Sequence, residues 1–113
     1  MATAWITDDE ADRALDWLVS NAPKIGEAKK RLVLAERMVD RTKALVMKKF
    51  SELPVSAQER EAKASDELFA AYQEEAEAAG AFQTLLAYRD AASARVDAWR
   101  SINATLRGAR LAA

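Results

Sequence analysis

Helix-forming sequence in this chain is rarely interrupted. Between Pro54 and Gly108 there is no proline and a single glycine, Gly80. That stretch is rich in Ala, Glu, Leu and Arg, side chains that lose little rotamer freedom in a helix. No run of alternating β-branched and aromatic residues competes with it, so the chain is expected to be all-α.

The breaks that do occur are Ser20-Asn21-Ala22-Pro23, Leu53-Pro54-Val55-Ser56, a weaker Ala64-Ser65-Asp66, and Gly108. They divide the chain into expected helices over about 8–20, 23–50, 57–64 and 66–107. Thr7 and Glu10 have the T-x-x-E spacing of a capping box, with Asp8 and Asp9 in the first turn, and Ser56 to Glu59 repeat the pattern. Pro23 suits the first turn of a helix, where its missing N–H would be unpaired anyway. At 1.5 Å per residue the second helix would run roughly 42 Å and the last roughly 60 Å.

Ile25, Ala28, Leu32, Ala35, Val39, Val46 and Phe50 fall on one side of the second helix, and Leu34, Met38 and Leu45 widen that apolar sector. The last helix changes its apolar side. Leu68, Tyr72, Ala79, Phe82 and Leu86 form one stripe; Leu85, Tyr88, Ala92, Trp99, Ile102 and Leu106 form another, more than about 100° away on a helical wheel. The resulting expectation is an antiparallel, coiled-coil-like hairpin of long helices with a short N-terminal helix across it. This single domain is expected to self-associate because one stripe lacks a partner. Trp17, Leu85, Tyr88, Trp99 and Leu106 are the candidate interface anchors.

Composition narrows the chemistry. The chain has no His and no Cys, which removes imidazole bases and ligands, thiolate nucleophiles, zinc knuckles and disulfides. Glu74, Glu75 and Glu77, with Asp66 and Glu67 upstream, are the densest carboxylate cluster, but a helical metal site wants spacings of three or four on facing helices, commonly with His. Gly26, Gly80 and Gly108 stand alone, so no phosphate-cradling loop is present. No catalytic residue, cofactor or metal is expected, and the protein is not expected to be an enzyme. A signal peptide and a membrane-spanning run of about 20 apolar residues are also missing, which points to the cytoplasm.

Charge is distributed in blocks, although the net formal charge is only -1. Residues 1–21 carry five acids and one base, residues 22–50 three acids and nine bases, residues 51–80 eight acids and two bases, and residues 81–113 two acids and five bases. An antiparallel hairpin would bring opposite blocks together, which selects pairing more than it adds stability. Lys30, Arg37, Arg41 and Lys48, at offsets of 7, 11 and 18, lie within about 20° of one line and form a candidate nucleic-acid contact. Arg89, Arg100 and Arg107 share another line, with Arg95 and Arg110 nearby and Tyr88 and Trp99 close in sequence, an arrangement able to stack bases but better explained by Trp99 as a packing anchor and by the helix dipole.

Ser56 to Ser65 (SAQEREAKAS), Ala94 to Ser101 (ARVDAWRS) and Asp12 to Leu18 (DRALDWL) together resemble small helical proteins of uncharacterised function encoded by tailed bacteriophages and prophages. The resemblance implies a bacterial host cytoplasm and a setting in recombination or single-strand-DNA metabolism, and carries no residue roles. The expected function is therefore that of a non-catalytic accessory protein acting by protein–protein interaction, with an unidentified protein partner. Direct nucleic-acid binding through the basic line is one alternative. The other is an acidic decoy, using Glu59 to Glu77 to block a host defence protein.

Overall fold

The computed structural model describes residues 5–112. Its elements are α1 (Asp8–Lys48), α2 (Val55–Lys63) and α3 (Asp66–Ala112), with no strand among the described residues. Two units are distinguished by their packing. The first joins residues up to Ile25 with Thr84 onward, and the second spans Gly26–Gln83. Each pairs a stretch of α1 with an antiparallel stretch of α3. In the first unit Trp17 meets Tyr88 and Asp8 meets Trp99. In the second, Arg31 meets Glu74 and Lys49 meets Glu67. The expected antiparallel pairing of two long helices is the arrangement found.

The expected short N-terminal helix is absent as a separate element, because residues 8–20 are the first part of α1 and Pro23 lies inside that helix. Pro23 has no N–H to give the carbonyl of Val19 one turn earlier. Val19 is 75% exposed, so water can take the donor's place. Two residues upstream, the Asn21 side-chain amide donates to the Trp17 carbonyl at 2.9 Å. Continuity is favoured by phase: Leu18, Ile25, Leu32, Val39 and Val46 recur every seven residues, and all are buried or half-buried. A break at Pro23 would lose that register.

Helix ends follow local chemistry. Thr7 Oγ1 accepts the Glu10 N–H at 3.1 Å, as the capping spacing predicts. α1 closes with tightened bonds from the Lys49 and Phe50 N–H groups to carbonyls three residues back. The second expected capping box does not form. α2 begins at Val55 with Pro54 as its N-cap and no side-chain cap, because the Pro54 carbonyl already accepts from the Ala57 and Gln58 N–H groups. The Gln58 side chain instead donates back to the Leu53 carbonyl at 2.8 Å. Ser65 joins α2 to α3: its hydroxyl donates to the Ala62 carbonyl at 2.6 Å and accepts the Leu68 N–H at 3.2 Å. Gly108 does not end α3, which continues to Ala112.

The buried apolar residues are small. Of the ten among the described residues, six are alanines and three are valines, and Leu68 is the one fully buried large side chain. In the second unit Val39, Val46, Ala62 and Leu68 form a cluster with Met47, Phe50 and Ala71 packed on it. In the first, Ala14, Ala92 and Val96 are buried under Trp17 and Leu18. Small side chains occupy most of the contact, so apart from Leu68 the larger residues of the expected stripe on α3 lie at its edge. Tyr72 and Tyr88 are exposed, whereas Ala71, Ala78 and Val96 are inside or near the core. The Ala92 stripe therefore finds a partner in α1 through Ala92, while Tyr88 and Leu106 of the same stripe stay exposed.

Candidate interaction site

In the first unit, two helix lines converge on an aromatic groove of about 430 Å³. α1 supplies Glu10, Arg13 and Trp17 at spacings of three and four; α3 supplies Tyr88, Ala92 and Arg95 at spacings of four and three. Each set covers one face over two turns. The Trp17 and Tyr88 rings stand 6.1 Å apart at 55°, a tilted geometry favoured by the ring quadrupoles. Trp17 is anchored in the core cluster, while Tyr88 is 59% exposed. Arg13 leans on Asp9 at 3.6 Å, and Arg95 has no ion-pair partner among the described residues. The groove thus offers an aromatic wall beside an available guanidinium.

The other expected anchors have different surroundings. Trp99 is half-buried, and its indole N–H donates to Asp8 Oδ1 at 2.7 Å, tying α3 to the first turn of α1. Its carbonyl also accepts the Asn103 amide at 2.9 Å. Trp99 is thus a bolt between helices. Leu85 is half-buried, and Leu106 lines a small hollow of about 200 Å³ with Trp5 and Ile102. Sequence reading singles out Trp17 and Tyr88, and sets Arg95 beside the basic line of α3 rather than opposite α1; Arg13 is not singled out. Their spacings were visible; the register that sets one line opposite the other was not.

In the second unit, Lys30, Arg37, Arg41 and Lys48 are all exposed. None has an ion pair among the described residues. Their neighbours are engaged. Arg31 grips Glu74 through two hydrogen bonds of 2.8 and 3.0 Å, Lys49 reaches Glu67 at 3.1 Å, and the Lys29 ammonium sits 5.3 Å from the centre of the Phe82 ring. The Arg31 hydrogen bond holds the Glu74 carboxyl below the usual carboxylate range, and Lys49 does the same for Glu67. The Glu74 hydrogen bond in turn raises Arg31. These pairs draw carboxylates out of the acidic block, which leaves less free anionic surface for a decoy. On the line further along α3, Arg89 is paired with Asp90 and Arg100 with Asp97.

No group of acidic side chains among the described residues is arranged to hold a metal ion. No charged or polar residue among them is buried, and no described helix is long and apolar enough to cross a membrane. The strongest chemical features are therefore surface contacts: an aromatic groove in one unit and an unpaired basic line in the other. No protein-family model, curated protein or solved structure matches the chain.

Proposed function

We propose that this is a non-catalytic helical protein that works by binding another protein through the aromatic groove of its first unit. The observation that carries the reading is Tyr88: its ring is held against Trp17 yet lies open to solvent beside the unpaired Arg95. Interface energy concentrates in aromatic and arginine residues of this kind, where a rigid ring and a planar guanidinium lose little entropy on contact. The partner segment would present an apolar side chain to the rings and a carboxylate to Arg95. Resemblance to phage-encoded proteins supports placing that partner in recombination or single-strand-DNA metabolism, in the cytoplasm of a bacterial host.

A random peptide library selected on the purified protein tests this. Enriched peptides should share an apolar residue next to Asp or Glu, and Tyr88→Ala should weaken their binding by about tenfold or more while the helical spectrum is unchanged. Failure to enrich such peptides, or unaltered binding by the variant, overturns the reading.

One observation favours a second reading, nucleic-acid binding: the four cations Lys30, Arg37, Arg41 and Lys48 have no ion pair among the described residues. Phosphate binding would strengthen steeply as salt falls and disappear when all four become alanine. An oligonucleotide that does not bind at low salt ends it.

A further inference from the structure

Two quartets on α1 share the same spacing. In the first unit, Asp12, Leu15, Asp16 and Val19 occupy positions i, i+3, i+4 and i+7, so they lie on one face. In the second unit, Leu34, Arg37, Met38 and Arg41 occupy the same four offsets. All eight are exposed, Val19 and Leu34 to 75% and 56%. The four charged members have no ion pair among the described residues. Each quartet also holds like charges four residues apart, Asp12 with Asp16 and Arg37 with Arg41, an arrangement that disfavours an isolated helix.

Read in opposite directions, the quartets complement one another. We propose that the acidic quartet of one copy docks antiparallel on the basic quartet of a second copy, setting Asp12 against Arg41, Leu15 against Met38, Asp16 against Arg37 and Val19 against Leu34. Both quartets belong to one uninterrupted helix, and a helix cannot lay one of its own stretches along another, so the occupant is a second copy of the chain. The four apolar side chains supply the contact area. The charges select the antiparallel direction and relieve the like-charge pairs, since exposed ion pairs add little net stability but strongly penalise a wrong register.

This pairing does not involve the aromatic groove, and it is tested separately by charge exchange. Sedimentation velocity of the wild-type chain should show a species heavier than 12.4 kDa. D12R/D16R and R37D/R41D should each weaken self-association at least tenfold while remaining helical by circular dichroism. Mixing the two variants should restore association, because the first then carries two basic quartets and the second two acidic ones. Three results would overturn the proposal: a wild-type chain that stays a 12.4 kDa monomer at millimolar concentration, variants that associate like wild type, or a mixture that does not recover. A fourth would be single-stranded oligonucleotide binding that R37D/R41D abolishes while self-association is unchanged, which would assign the basic quartet to phosphates.

Discussion

Ser65 shows how much one hydroxyl can decide. It donates to the last turn of α2 and accepts from the first turn of α3, adding a second bond to a carbonyl that already takes the Ser65 N–H and satisfying an N–H that the start of α3 leaves without a ladder partner. Ser65→Ala leaves the Leu68 N–H without its acceptor, while the Ala62 carbonyl keeps the backbone N–H of residue 65 at 3.1 Å; the loss should cost about 1 kcal/mol, measured as a lower urea midpoint with an unchanged slope. The Arg31–Glu74 pair acts through pH. Folding lowers the carboxyl's affinity for protons, chiefly through the Arg31 hydrogen bond, so in the acid range the unfolded chain binds more protons than the folded one. Its contribution is fully present above the ordinary carboxylate range and is lost as pH falls through the lowered native value. Wild type should therefore melt slightly above E74Q at neutral pH, and the two curves should converge in acid. Curves that remain parallel would show that the pair adds nothing.

At the scale of the helix, the readable signals were the local ones. Thr7 and Ser65 could be found because a cap needs a hydroxyl at a fixed distance from the first free N–H groups, and both accept one. Pro23 was misread because its local rule points to a helix start, whereas the seven-residue recurrence from Leu18 to Val46 spans it and determines the outcome. Likewise Ser56 matches a cap in sequence, but Pro54 already fills that position. The groove was half legible: spacing placed Trp17 and Tyr88 on their faces, but nothing within either helix fixes which turn of α3 lies opposite which turn of α1. If phase alone carries α1 through Pro23, restoring the N–H should strengthen the helix. Pro23→Ala should raise stability by about 1–3 kcal/mol, below the full propensity difference because proline also restricts the unfolded chain. Hydrogen exchange should slow most at amides flanking residue 23, and exchange that is unchanged there would mean that helix geometry already absorbs the missing donor.

For the molecule as a whole, the division of apolar residues matters more than their number. Alanine and valine occupy the helix contacts, while Leu15, Val19, Leu34, Met38, Phe69 and Tyr88 are left outside. Burial of small side chains contributes little per residue, since the hydrophobic gain follows the apolar area removed from water. A second copy that covers Leu15, Val19, Leu34 and Met38 would add area that the single chain does not bury, and would do so only in the folded state. A partner that binds the native state and not the unfolded one stabilises by mass action, so the melting temperature must then depend on protein concentration. Across a hundredfold increase, with the chain mainly associated at both ends, the free energy per association event shifts by about 2.7 kcal/mol. Scanning calorimetry should register this as a melting temperature several degrees higher in the concentrated sample. The same series with R37D/R41D should show a smaller rise that begins only at higher concentration, because weakened docking leaves more of the chain melting as a unimolecular species.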